Sequence, residues 1–351
     1  MRKSKHPTLS EVAKKAGVGT TTASRVINGG NLVDPRTLAR VRNAIKALGY
    51  TPNPAARSLK GYHTKTIGLI IPSIADPFFS SCAEAAQAVA HAHESLLIVT
   101  TTQNDSRMEL DSVNVLVGHR VDGLIIAPGN SENGDLRSTL ESAGVPVVAL
   151  DRPVVNSSIP FVVADNFAGA NLATQHLISH GYRRIACITG EDTLYTIRER
   201  ISGYKQAVEA AGLPVILNTG IRDYASAEAA IAAMLRDNHP PDAFLTLKNS
   251  TTIYAFEALK KMKVAIPGRT ALLGYDDFEL AGTVNPSITV VRQPIDEIGR
   301  MSAEILFQEL RARGKKDRAF DAAVPRQVQL GTTLVRRSSC GCCPLTDPLK
   351  Q

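Results

Sequence analysis

Apolar side chains near the start of the chain recur at helical spacing, with Leu9, Val12, Ala13 and Ala16 at i, i+3, i+4 and i+7. Thr8 and Glu11 stand three apart in front of them as a capping box, and Gly17-Val18-Gly19 breaks the run. Over residues 20–28 the pattern turns Ala23, Val26 and Ile27 to one side and Thr20, Thr21, Ser24 and Arg25 to the other, until Gly29 and Gly30 end it. A third helix is predicted from Asp34 as N-cap and Pro35 at the first position. Its inner face is Leu38, Val41, Ile45 and Leu48, and Gly49 stops it. Three short amphipathic helices predict one small core. The first two, joined by a glycine-bearing turn, predict a helix-turn-helix.

From Thr66 onward the pattern changes. Continuous apolar runs at 67–72, 96–101, 123–128 and 146–150 alternate with helix-length segments such as 79–92 and 107–118. Similar runs recur at 183–190, 214–218, 243–247 and 271–277. Strands of unbroken Val, Ile and Leu separated by helices predict parallel sheets covered on both faces, here in two α/β halves. The fold class expected is α/β, a three-helix helix-turn-helix headpiece followed by a bilobed domain with two parallel sheets. The domain boundaries read as 1–50, a hinge or linker at 51–64, a bilobed domain at 65–340 and a tail at 341–351.

Charge sharpens this division. Residues 1–65 hold 13 Lys and Arg against Glu11 and Asp34, a balance of +11, which leaves −4 for the rest of a chain of net charge +7. A basic module on a mildly acidic body is the footprint of a phosphate-backbone binder. Thr20 and Thr21 offer hydroxyls and methyls to base edges, and Arg25 can pair bidentately with guanine. No apolar run spans a membrane and the first residues lack a signal-peptide core, so a cytoplasmic protein is expected. Cys82 and Cys187 lie in apolar stretches. Cys340, Cys342 and Cys343 crowd the tail without a second ligand pair at zinc-site spacing, so neither disulfides nor a metal is expected. There is no GxxxxGK[ST], GxSxG or HExxH, so an enzyme is not expected, nor a cofactor.

Ligands of open parallel sheets gather where strands end. Those places hold Asp76, Phe78 and Phe79, then Asp151 and Arg152, then Asn249 and Asp276. Aromatics, acids, an amide and arginines together suit a polyhydroxylated ligand.

The run TLSEVAKKAGVGTTTASRVING closely resembles the headpiece of the LacI/GalR repressor family. IPSIADPFF, GLIIAP, ALDRPV, RISGY, LGYDD and RRSSCGC resemble that family's periplasmic-binding-protein-like effector domain. Gly19 departs from the serine usual there. The resemblance implies a homodimer on a near-palindromic DNA operator, base contacts from Thr20, Thr21 and Arg25, and minor-groove contacts from Ala56 and Leu59 in a hinge over 51–60. It also implies an effector pocket of Phe78, Phe79, Asp151, Thr196, Arg200, Tyr224, Asn249, Asp276 and Gln293. Where many relatives have Asn-Asp, this chain reads Lys248-Asn249-Ser250. With Arg200 and Arg152, Lys248 points to an anionic effector such as a sugar acid or sugar phosphate. The function expected is a transcriptional repressor of carbohydrate or sugar-acid genes released by that effector. A purine-type corepressor system is the alternative, and a sugar-binding protein without DNA function a weaker one.

Overall fold

The structure is a computed structural model that describes residues 7–27, 33–50, 64–190, 192–314 and 326–342. It has two compact units, dividing between Thr64 and Lys65.

The first unit contains α1 (Leu9–Ala16), α2 (Thr20–Ile27) and α3 (Pro35–Leu48). Thr8 and Glu11 form the reciprocal capping box that opens α1, and Gly17 closes it in the left-handed region at φ 62°. Asp34 accepts from Thr37 N at 3.1 Å to open α3, and Gly49 ends it, again left-handed. The turn between α1 and α2 is tied from outside. Arg40 Nε donates to Ala16 O at 3.0 Å and its Nη2 to Gly17 O at 2.8 Å. Val12, Ala13, Ala16, Ala23, Val41 and Ala44 form the core beneath.

The second unit has two six-stranded sheets of equivalent order. In the first, β1 (Thr66–Ile71), β2 (Leu96–Thr101), β3 (Gly123–Ile126), β4 (Val147–Leu150), β5 (Phe161–Ala164) and β11 (Gln327–Leu330) lie as β11-β5-β4-β3-β1-β2. In the second, β6 (Ile185–Ile188), β7 (Ile216–Asn218), β8 (Ala243–Thr246), β9 (Ala271–Tyr275), β10 (Thr289–Arg292) and β12 (Thr333–Val335) lie as β12-β10-β9-β8-β6-β7. Helices α4 (Pro77–Ala92), α5 (Ser106–Gly118), α6 (Gly134–Ser142) and α11 (Ile295–Gly314) serve the first sheet. Helices α7 (Asn166–Ser179), α8 (Tyr195–Ala210), α9 (Tyr224–Leu235) and α10 (Asn249–Lys261) serve the second. Each sheet has an apolar cluster on both faces, which is why its inner strands carry apolar residues without alternation.

Two features differ from the sequence expectation. The chain crosses between lobes three times, after β5, after β10 and after β11, so α11 and β11 return to complete the first lobe. The second sheet is also not wholly parallel, because β12 runs antiparallel to β10. Among the described residues, no helix is long and apolar enough to cross a membrane.

Candidate functional site

Thr20, Thr21 and Arg25 lie exposed on α2, on the side away from buried Ala23. The i, i+1, i+5 spacing places them on one outward face, where a major groove would meet short hydroxyls and a guanidinium. Ala56 and Leu59 lie outside the described residues.

In the second unit, Asp151 and Asp276 occupy equivalent places. Asp151 follows β4 and Asp276 follows β9, and both take the left-handed backbone, at φ 66° and 67°. Each carboxylate is buried, so each needs a partner. Arg152 Nε donates to Asp151 Oδ2 at 3.1 Å, while its Nη1 donates to Asn104 Oδ1 at 2.7 Å and Pro128 O at 3.1 Å. Arg200, buried on α8, places Nη1 3.6 Å from Asp276 Oδ2 and donates from Nε to Asn166 Oδ1 at 2.8 Å. The same Nη1 donates to Leu247 O at 2.7 Å, and the guanidinium lies 3.7 Å from the Tyr275 ring centre. Gln293 Nε2 donates to Asp276 Oδ1, while its Oε1 is buried without a partner among the described residues.

The two lobes meet electrostatically here. Asp76 caps α4 by accepting from Phe78 N at 3.1 Å, and Lys248 Nζ from the other lobe lies 3.9 Å from its Oδ2. Burial raises the Asp76 pKa, opposed first by the Lys248 charge. Burial also raises Asp151; Arg152 and then Arg200 pull it back, while Asp276 and Asp76 push it further up. Three acids and three cations thus converge at the strand ends.

Of the other residues expected here, Thr196 is buried one helical turn before Arg200, and Asn249 opens α10 beside Lys248. Phe78 and Phe79 pack edge to face at 5.0 Å within the first-lobe core, and Phe79 backs the Arg152 guanidinium at 5.8 Å. Tyr224 has different company. Its ring packs with the outer cluster of the second lobe and lies 5.6 Å from Lys261 Nζ. Lys261 ends the helix that Asn249 begins, about 18 Å along its axis at 1.5 Å per residue. Asn104 and Asn166, which orient the two arginines, escaped sequence reasoning. Asn166 follows β5, a strand that was not read from the sequence, and Asn104 sits in a loop at φ 60°.

Residues 8–53 match the family model described as bacterial regulatory proteins, lacI family. Residues 64–335 match the one described as periplasmic binding proteins and sugar binding domain of LacI family. The ribose operon repressor of Escherichia coli K12 is 31% identical over 306 residues, 86% of this chain and 93% of that protein. The HTH-type transcriptional repressor PurR of Aliivibrio fischeri is 30% identical over 319 residues, 90% of this chain and 95% of its own length. The lac repressor dimer bound to operator and the anti-inducer ONPF superposes with a TM-score of 0.81 at 25% identity, covering 96% of this chain and 99% of that one. With a helix-turn-helix headpiece, a bilobed body of matching topology and both family models spanning nearly the whole sequence, the chain belongs to the LacI family of bacterial regulatory proteins.

Proposed function

We propose that this regulator is a repressor of carbohydrate-utilisation genes that binds a near-palindromic operator as a homodimer in the cytoplasm and is released by a small, neutral, polyhydroxylated effector. The observation that carries the effector reading is the matched pair of buried aspartates close enough to act on one another's charge, with the Gln293 oxygen next to Asp276 lacking a donor among the described residues. Sugar hydroxyls both donate and accept, which suits a site of fixed acids, amides and arginines. The sequence pointed to an anionic effector through Lys248, Arg200 and Arg152. In the fold each of these cations faces a carboxylate, Asp76, Asp276 and Asp151 in turn, and that balance supports a neutral ligand. The anionic reading keeps one support, since the Lys248 side chain is 46% exposed and its ion pair is long. An open aromatic face would favour a purine by stacking, and Phe78 and Phe79 are both buried in the core.

Exposed Leu96 and Val99 on the edge strand β2, with Met108 and Val115 on α5, supply the apolar surface a second copy would cover. If only one closure of the lobes holds two headpieces at half-site spacing, the effector shifts operator affinity by its preference between closures, typically about 1–3 kcal/mol.

The test is fluorescence anisotropy of the purified protein on DNA from upstream of its own gene, at fixed salt, with neutral sugars, sugar acids, sugar phosphates and purines added in turn. Tight binding reversed by one neutral sugar is expected. Reversal by sugar acids alone would restore the anionic reading. Strengthening by a purine, or no sequence-specific binding, would overturn the proposal.

A further inference from the structure

We propose that His176, His180, Cys340 and Cys342 form a binding site for one Zn2+ at the end of the second lobe remote from the cleft. The tail cysteines lack a neighbouring ligand pair in sequence, but the fold supplies one from the far end of α7. His176 and His180 are four residues apart, so they share one helix face, and their rings lie 4.6 Å apart. Cys342 Sγ is 3.5 Å from His176 Nε2 and 3.3 Å from His180 Nε2. Cys340 Sγ is 3.3 Å from the same His176 nitrogen.

These separations have a chemical meaning. Tetrahedral zinc holds sulfur at about 2.3 Å and imidazole nitrogen at about 2.0 Å, which places two such ligand atoms roughly 3.5 Å from one another. The ligand atoms of His176, His180 and Cys342 all fall within 4.8 Å of one another, leaving the metal to draw Cys340 in as fourth ligand.

The surroundings are arranged for this. Gly341, between the two thiols, takes φ 89°, and a side chain there would crowd the Tyr182 hydroxyl at 3.1 Å. That hydroxyl donates to Cys340 O at 3.2 Å, fixing the turn. Thr289 Oγ1, 3.0 Å from Cys340 Sγ, can donate to a thiolate, the role of groups that orient metal ligands. Two thiolates and two neutral imidazoles balance the charge of Zn2+, and the two thiol protons leave to solvent on binding. His180 is exposed and gives the ion an entry path. Bound zinc would pin the C-terminal segment to α7, whose other end carries Asn166, the partner of Arg200.

The experiment uses full-length protein without an affinity tag, stripped of metal under reducing conditions and titrated with Co2+. One equivalent should give intense tetrahedral d–d bands and a thiolate charge-transfer band, both abolished by added Zn2+. His180→Gln and Cys342→Ser should each lose the bands while keeping the far-ultraviolet circular dichroism of the parent, and zinc should raise the melting temperature of the parent alone. A pale octahedral cobalt spectrum would overturn the proposal. So would bands that persist in both variants, or a disulfide that consumes Cys340 or Cys342 in reducing buffer.

Discussion

Asp277, next to the cleft acid Asp276, accepts from Arg337 Nη2 at 2.9 Å and from Arg292, tying the C-terminal segment to β10. Burial would raise its carboxyl, but the hydrogen bonds from Arg337 and Arg292 outweigh this and hold it below the ordinary 3.8. A carboxyl whose pKa is lowered by folding contributes stability above its ordinary value and loses it as pH falls through the folded one. Asp277→Asn should therefore cost about 1–3 kcal/mol at neutral pH. The gap between the denaturation curves of parent and variant should narrow as pH falls below 3.8; a constant gap down to strong acid would mean that packing, not charge, is lost. On the DNA side, Arg25→Ala should relax preference at one base pair by roughly 1–3 kcal/mol, read by competition among operator variants. Uniform weakening across all sequences would place Arg25 on a phosphate instead.

At the scale of elements, close helix contact shows why small residues sit where they do. Gly203 on α8 faces Phe167 O on α7 so closely that a methyl group there would overlap the backbone. Gly203→Ala should cost about 1–3 kcal/mol by overpacking, read as a lower urea midpoint with unchanged slope. No change would mean the helices can slide apart. Most elements were legible because their signals are local. Thr8 with Glu11, Asp34 with Pro35, and Gly49 mark the headpiece helices, and fully buried runs such as 67–71 and 271–275 mark the inner strands. Although β3, β4, β6 and β8 are as short and were read, strands β5, β10, β11 and β12 were not legible. Their existence depends on partners far along the chain, as β11 with β5 shows. The same limit hid His176 beside Cys340, 164 residues apart. It also hid the inward packing of Phe78 and Phe79 and the pairing of Tyr224 with Lys261. Strand-end acids were readable from their position alone, whereas the neighbours that orient them were not.

At the scale of the whole effector domain, three crossings join the lobes, and the Lys248–Asp76 pair is a polar link across the cleft that an effector could replace. How much that link matters separates the two effector readings. Lys248 is 46% exposed and 3.9 Å from Asp76, so solvent screens it, and such pairs are worth about 0.2–1 kcal/mol. If the effector is neutral, Lys248→Met should change its affinity by less than about fivefold and leave operator binding without effector nearly unchanged. If the effector is anionic, the same substitution removes a charge-assisted hydrogen bond and should weaken binding by tenfold or more, about 1.5–3 kcal/mol. Asp276→Asn provides the comparison, because its carboxylate is buried against Arg200 and Gln293. If the effector is neutral, losing the charged acceptor for its hydroxyls should reduce affinity at least tenfold; if it is anionic, the lost repulsion and the freed Arg200 charge offset this and the loss should be small. Calorimetric titration of both variants with the sugar that releases the operator would give the two ratios. A large loss in Asp276→Asn with a small one in Lys248→Met identifies a neutral ligand held by the buried acids, and a large loss in Lys248→Met with a small one in Asp276→Asn identifies an anion held from the second lobe.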